Sequence, residues 1–175
     1  MENTATPTAT PASVGIRYGL ITGVIIAILS FVQLAFIEDP ETPFRWLSAL
    51  VGVAGIVLAH KNFKQLNQGF MSYGQGLSIG TILSAVAGAV SSLFSYLYIN
   101  FIDPEYINRV MELTRSRMED KGLDDAQIDQ AIAMAQKFSS GPITIFFGLL
   151  ISVLMGFVVS LIISAFTKHS RPEFE

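Results

Sequence analysis

The sequence predicts an all-α integral membrane protein, a four-helix bundle with an extramembrane amphipathic helical hairpin between its third and fourth spans. Two observations lead to this fold class. Of the 175 residues, 51% are hydrophobic and only 14% are charged, which lies outside the range of soluble globular domains. The hydrophobic residues form four runs of roughly bilayer-spanning length, and one long polar segment, residues 103–141, separates the third run from the fourth.

The composition also excludes several classes of function. The chain has no cysteine and only two histidines, His60 and His169, so thiolate sites, thiol catalysis and histidine-rich metal centres are excluded. A pI near 5.3 argues against a nucleic-acid partner. No dinucleotide, phosphate-loop, zinc-protease or serine-hydrolase motif is present. We therefore predict no catalytic, cofactor-binding or metal-binding residues, and we expect the lipid bilayer to be the first partner.

The chain begins with a polar tract. Residues 1–14 are rich in threonine, alanine and proline and are expected to form a disordered tail. A single membrane domain over 15–169 and a short C-terminal tail at 170–175 should follow. Span one is predicted at 18–37, a charge-free run of 20 residues that is long enough for a hydrocarbon core of about 30 Å. It lacks a signal-peptide cleavage pattern, so we expect it to be a true span.

Span two, predicted at 44–60, is short. It follows an acidic turn with two prolines, and its uncharged core from Trp46 to Ala59 has only 14 residues. That length alone fits an interfacial or re-entrant segment. Because Arg45 and Lys61 can extend their charged groups outward from the two ends, we expect the segment to cross the membrane.

Spans three and four have clearer boundaries. Ser72 and Gln75 have the spacing of a capping box, which marks a helix start just before span three, predicted at 77–101. A glycine–proline step then restarts the chain at span four, predicted at 142–167, because proline is tolerated in the first turn of a helix.

Basic residues next to the span ends predict the orientation, because cytoplasmic loops carry an excess of lysine and arginine. Only Arg45 lies at the short turn between spans one and two. The other flanking basic residues share the opposite side: Arg17, Lys61, Lys64, Lys168 and Arg171. Both termini are therefore predicted to be cytoplasmic, and segment 103–141 external.

Small residues recur at every fourth position in three of the spans. Such ladders let helix backbones approach closely in a bilayer, where the hydrophobic effect does not drive helices together. The ladders are Gly15, Gly19, Gly23 and Ala27 in span one, Gly76, Gly80, Ser84, Gly88 and Ser92 in span three, and Gly148, Ser152, Gly156, Ser160 and Ser164 in span four, with only the pairs Ser48 and Gly52, and Gly55 and Ala59, in span two. They predict packing within one bundle, with a homodimer through an outward-facing ladder as the alternative.

The polar segment 103–141 is predicted to form two helices. Asp103 suits an N-cap with proline at the first helical position, and Gly122 ends the first helix. The second helix begins with Asp124 and Gln127 as a capping box. Each helix has an apolar face: Ile107, Val110, Met111, Thr114 and Met118 on the first, and Ile128, Ala131, Ile132, Ala135 and Phe138 on the second. In this hairpin the apolar faces can be buried against each other, on the membrane surface or against a partner protein.

A group of aspartates and one histidine resemble metal or proton sites, and both have simpler explanations. Asp124, Asp125 and Asp129 resemble a calcium cluster, but their spacing lacks the glycine and the terminal glutamate of an EF-hand loop. Helix caps and a solvated face explain them better. His60 lies beside Lys61 at the expected end of span two, and we interpret it as an interfacial cap rather than as a proton or metal site.

Several stretches are typical of one family. They are RYGLITG at the start of span one, HKNFKQLNQGFMSYGQGLSIG leading into span three, DPEYI after span three, and the charged segment before span four. With them, nearly the whole chain after Val14 resembles an uncharacterised family of bacterial membrane proteins, domain of unknown function 4199. The resemblance implies four spans in the bacterial cytoplasmic (inner) membrane, and it implies no activity and no site residues.

These observations favour a non-enzymatic membrane protein that contacts another protein or the lipid surface through its external hairpin. The alternative is a component of a small oligomeric transporter or channel for a neutral solute, because the span interiors contain no ionisable residue that would couple transport to protons. A membrane enzyme is a third hypothesis, and it would have to use the carboxylates of the hairpin.

Overall fold

The computed structural model of the protein describes residues 9–37, 39, 42–139 and 141–170. Within them lie six α-helices and no β-strand: α1 (Pro11–Phe36), α2 (Arg45–Leu66), α3 (Tyr73–Leu97), α4 (Tyr106–Asp120), α5 (Asp125–Ser139) and α6 (Ile143–Thr167). A short π-helix, Tyr98–Ile102, continues α3. Four of these helices are long and apolar enough to cross a membrane: α1, α2, α3 with its π-helical extension, and α6. The predicted all-α class and four candidate spans are confirmed.

Helix α1 begins seven residues before the predicted start of span one, at Pro11. The hydroxyl of Thr10 accepts a hydrogen bond from the Ser13 backbone N–H (3.1 Å), and the Ser13 hydroxyl accepts one from the Thr10 N–H (3.2 Å). A reciprocal cap followed by proline at the first helical position is a strong start signal. The predicted tail of residues 1–14 is therefore wrong from Pro11 onward, and residues 1–8 lie outside the described part of the chain.

Helix α2 continues beyond the predicted end of span two, as far as Leu66. Lysine is a good helix former, so Lys61 does not end the helix, and the chain turns only at Gln68 and Gly69, where φ is +57° and +88°. The 22 residues of α2 give it a length of about 33 Å. By length and composition α2 is a candidate span. Its uncharged core is still the 14 residues from Trp46 to Ala59, so complete crossing stays a prediction.

The start of α3 agrees with the prediction, and the start of α4 does not. The Ser72 hydroxyl accepts from the Gln75 N–H (3.2 Å), and the Gln75 side-chain oxygen accepts from the Ser72 N–H (2.8 Å), which confirms the capping box. Helix α4 begins at Tyr106 rather than directly after Asp103. The Tyr106 N–H donates to the Asp103 carbonyl oxygen (3.2 Å), so Asp103 closes a turn that contains the proline, and the helix starts behind this turn.

Helix α6 begins at Ile143, one residue later than predicted. Gly141 precedes it with φ +67°, a conformation that residues with a side chain rarely adopt, so the glycine sets the break. At the other end of α6, His169 exchanges two backbone hydrogen bonds with Met71, each 2.8 Å long. This short bridge ties the end of α6 to the start of α3.

Helix α3 lies at the centre of the bundle. It packs along α1 and along α6, while α2 packs mainly against α1 and less extensively against α3 and α6. The glycines of α1 face α3: a Cβ atom added at Gly19 would lie 2.7 Å from the Cβ of Val86, and one added at Gly23 would lie 3.0 Å from the Cα of Ala87. Because no side chain fits at such distances, the ladder of α1 allows its close approach to α3.

The ladders of α3 and α6 meet in five layers, each made of one glycine and one serine. The layers are Gly76 with Ser164, Gly80 with Ser160, Ser84 with Gly156, Gly88 with Ser152, and Ser92 with Gly148. A Cβ atom added at Gly88 would lie 2.5 Å from the Ser152 Oγ, so the serine fills the space that the glycine leaves. We call this arrangement the glycine–serine zipper.

The zipper buries polar groups between two helices. The Ser152 hydroxyl donates across the interface to the Ser84 carbonyl oxygen (2.9 Å). Ser160 and Ser164 are fully buried, and their hydroxyls have no hydrogen-bond partner within the described residues. The ladders therefore serve packing inside one chain. A homodimer remains a prediction. Its contact would need a small residue that is not covered within the chain, such as Gly52, where an added Cβ atom meets nothing within 4 Å.

Candidate functional site

Helices α4 and α5 form a hairpin whose connection is specified by local sequence. Gly122, at φ +77°, ends α4 as predicted, and its N–H donates to the Glu119 carbonyl oxygen (2.9 Å), one of the hydrogen bonds of a Schellman turn. Asp124 then caps α5, because its carboxylate accepts a hydrogen bond from the Gln127 N–H (2.8 Å). Both helix ends were thus predictable from residue types alone.

The apolar faces of the hairpin are only partly covered. Ile128 and Ile132 of α5 are buried, and the predicted apolar residues of α4 are half-buried. Two apolar side chains of α5 stay exposed one helical turn apart, Met134 at 56% and Phe138 at 48%. Met134 lies outside the predicted apolar face, although its spacing of four residues from Phe138 could have revealed the pair. Packing within the chain therefore leaves an exposed apolar patch, which we call the Met134–Phe138 patch.

Ion pairs join the two helices to each other and to the bundle. Arg115 of α4 pairs with Asp129 of α5, and Arg117 pairs with Asp39, in the turn between α1 and α2, at 2.6 Å. Pairs this exposed contribute little to stability, so they orient the hairpin more than they stabilise it. Asp124 caps α5 and Asp129 pairs with Arg115, so two of the three aspartates that resemble a calcium cluster serve the hairpin itself. Among the described residues, no group of three histidine, aspartate or glutamate side chains could hold a metal ion.

Tyr106 fixes the start of α4 over the end of α1. The side chain is buried and lines a cavity of about 100 Å³ together with Leu34, Ala35 and Ile37. Burial raises the pKa of the Tyr106 phenol, because the charged form is poorly solvated there. The first turn of the hairpin is therefore anchored to the bundle by packing as well as by ion pairs.

Asp103 and Arg109 form the ion pair closest to the end of α3. The guanidinium of Arg109 donates to both carboxylate oxygens of Asp103, at 2.5 and 3.1 Å. This hydrogen bonding holds the pKa of Asp103 below its ordinary value, and the charge of Arg109 acts in the same direction. Since the lowered pKa belongs to the folded state, the pair adds stability above the ordinary pKa of the carboxyl group. That stability is lost as the pH falls through the lowered pKa.

Replacing Arg109 with glutamine is expected to raise the pKa of Asp103 toward its ordinary value, because the group that stabilises the carboxylate is removed. Carbon NMR titration of the Asp103 carboxyl group, in the full chain in detergent micelles, measures this change. Arg109→Lys is the matched control: it keeps the charge but loses the two-pronged geometry, so the pKa should lie between those of the other two proteins. An identical titration curve in Arg109→Gln and the unmodified chain would contradict the assignment.

His60 is completely buried where α2, α3 and α6 meet. Its Nδ1 lies 2.8 Å from the Thr167 Oγ1, and its Nε2 lies 2.9 Å from the Gly76 carbonyl oxygen. Because a carbonyl oxygen can only accept, Nε2 carries a hydrogen atom. Lys64 donates to the Thr167 carbonyl oxygen (3.2 Å) and extends the same cluster. The predicted interfacial cap is therefore corrected: α2 continues past His60, and its ring joins three helices.

A cavity of about 200 Å³ lies in the span region between α2 and α6, with α1 and α3 behind it. Small residues form much of its wall, including Ser48 and Gly52 from α2 and Gly156 from α6, and every lining residue is uncharged. Val53 and Met155, also in its wall, are 39% and 60% exposed, so the cavity opens on the outer surface of the bundle. Sequence reasoning missed this cavity, because the spacing of residues within one helix does not determine the gap between two helices.

The fold and these sites define a class: an all-helical protein with four candidate membrane spans, compatible with a multi-pass membrane protein. The model of the family described as "Protein of unknown function (DUF4199)" matches residues 17–169, and the chain belongs to this family. The predicted resemblance is thereby confirmed, and the matched region includes the hairpin as well as the spans. Comparison with curated proteins and with solved structures gave no significant match.

Proposed function

We propose that this protein is a non-enzymatic, multi-pass protein of the bacterial cytoplasmic membrane, and that it binds another protein through the α4–α5 hairpin. In this proposal the hairpin is extramembrane and external, and both termini are cytoplasmic. Four apolar helices support membrane insertion. The contact of Lys64 with the carbonyl oxygen of Thr167 puts the basic ends of α2 and α6 at one end of the bundle, and this clustering supports the orientation.

The observation that carries the proposal is the Met134–Phe138 patch. Apolar surface left in water costs about 25 cal/mol per Å², so a partner that covers both side chains would gain this free energy. Phe138 also packs edge-to-face against Phe147 of α6, with ring centroids 5.0 Å apart. This contact holds the ring in place, so a partner would meet a surface that is already ordered.

The charge of the hairpin favours a protein over the lipid surface as its partner. Segment 103–141 contains eight acidic and five basic residues, a net charge of −3. Helices that lie on a membrane surface are typically rich in lysine and arginine on their polar face, whereas this hairpin is net acidic. A protein with apolar side chains set in a basic surface would complement both the patch and the charge.

Photo-crosslinking tests this proposal in native membranes that contain the full chain. With a photoreactive amino acid in place of Met134, one protein should be captured reproducibly. Phe138→Glu in the same chain should reduce the capture by about tenfold or more, since a buried aromatic anchor is worth about 2 kcal/mol. The yield should also fall as the salt concentration rises, because opposite charges steer the two proteins together.

The matched control has the photoreactive group at Gln136, which is also exposed but points to the other side of α5, two residues away. Equal capture from Gln136 and Met134 would contradict binding through the patch. Capture of lipid alone from Met134 would assign the patch to the membrane surface and would overturn the proposed protein partner.

A further inference from the structure

Helices α2 and α6 meet at one end of the bundle and separate toward the other. His60 and Lys64 hold the end of α2 against Thr167 of α6. One turn or more before His60, α2 instead faces the cavity of about 200 Å³, which opens outward between Val53 and Met155. An open, uncharged cavity at the level of the spans is in contact with the hydrocarbon layer, so its occupant has to come from that layer or from another membrane protein.

The size and the apolar wall of the cavity suit a narrow hydrocarbon occupant. A cavity of about 150 Å³ with an apolar wall accommodates a benzene molecule, and a cavity of 200 Å³ therefore accommodates a somewhat longer stretch of hydrocarbon. A segment of one acyl chain meets this limit.

The first residue of α2, Arg45, adds a charge on the helix face that lines the cavity. Arg45 precedes Ser48 by three residues and Gly52 by seven, so it lies on the same helical face as these two lining residues. Its side chain is exposed and lies near the Trp46 ring, with 5.3 Å from the guanidinium carbon to the ring centroid. In the described part of the chain, Arg45 makes no ion pair. An arginine beside a tryptophan suits the headgroup region of a bilayer, where the guanidinium can bind phosphate with two hydrogen bonds.

We propose that the cavity and Arg45 form a binding site for one phospholipid. Its acyl chain lies in the cavity between α2 and α6, and its phosphate group pairs with the Arg45 guanidinium. The positive end of the α2 helix dipole favours the same phosphate. This site requires the bundle to be in a membrane but does not depend on the hairpin or its partner, so it can fail or hold independently of the proposed function.

Native mass spectrometry of the full chain in detergent, with added phosphatidylglycerol, tests the proposal. The unmodified chain should retain one phosphatidylglycerol molecule, and diacylglycerol with the same acyl chains, which lacks the phosphate, should be retained about tenfold less. Gly52→Leu fills the cavity, and Arg45→Gln removes the charge without entering the cavity. Each variant should reduce the retained phosphatidylglycerol by about tenfold.

Gly74→Leu is the matched control, because a Cβ atom added at Gly74 or at Gly52 meets nothing within 4 Å and both variants should fold. It should retain the lipid as the unmodified chain does. Full retention in Gly52→Leu would overturn the acyl-chain site. The phosphate contact would be overturned if Gly52→Leu lost phosphatidylglycerol while Arg45→Gln retained it fully. It would also be overturned if the unmodified chain retained diacylglycerol and phosphatidylglycerol equally, and the cavity would then suit an uncharged solute.

Discussion

Replacing Gly80 with leucine is expected to force α3 away from α6 and to destabilise the folded chain strongly. A Cβ atom at Gly80 would overlap the Ser160 hydroxyl, and the Cβ of Ser160 would lie only 2.8 Å away. Overpacking of this kind costs about 1–3 kcal/mol and sometimes more. Because the clash is with a side chain fixed next to its own helix backbone, we expect about 3 kcal/mol. Thermal unfolding in detergent should show a Tm lowered by roughly 6–12 °C.

Two further variants separate the zipper from a general effect of leucine in a helix. Gly74→Leu adds the same atoms to α3 where an added Cβ atom has no neighbour, and its Tm should change little. The exchange of Gly80→Ser together with Ser160→Gly reverses one layer and should be more stable than Gly80→Ser alone, because the next layer, Ser84 with Gly156, already has the reversed order. An unchanged Tm in Gly80→Leu, or an exchange no better than the single variant, would contradict the zipper.

The ladders were predictable from sequence, and so, in principle, was their alignment. Moving α6 by one four-residue step would place Ser84 against Ser160 and Gly88 against Gly156, leaving a crowded layer beside an empty one. In the observed alignment every layer pairs one glycine with one serine. The four-residue spacing alone predicts only that the helix faces are smooth. The complementary order of glycine and serine in the two helices is the additional signal that selects one alignment.

Other features could not be derived, because they depend on residues far apart in the chain. Sequence reasoning placed His60 at the membrane boundary on the expectation that α2 ends there. Its partner Thr167 is 107 positions away, and no local pattern links the two. The cavity has the same origin, since it results from how α2 leans on α1 and α6. Capping boxes and glycine breaks, by contrast, use neighbouring residues, and those at Ser72, Gly122 and Asp124 were predicted.

The His60 cluster leads to the second large expected effect. Replacing His60 with alanine removes the hydrogen bonds to Thr167 and Gly76 and leaves a void among three helices. Thr167 keeps its hydrogen bond to the Ile163 carbonyl oxygen, so the cost is that of the lost hydrogen bonds, about 0.5–1.5 kcal/mol each. Truncation of a large buried side chain adds a cavity term. We expect a total of about 2–4 kcal/mol, which lowers the Tm in detergent by roughly 5–15 °C.

His169 provides the internal control, because it is exposed and its ring stacks on that of Phe70, with 5.4 Å between the ring centroids. His169→Ala should cost no more than about 1 kcal/mol, since its backbone bridge to Met71 does not need the side chain. His60→Gln should fall between the unmodified chain and His60→Ala, as an amide can still donate to the Gly76 carbonyl oxygen. Equal losses of Tm in His60→Ala and His169→Ala would mean that the buried ring contributes no more than surface stacking, and that α2 is held to α6 by other contacts.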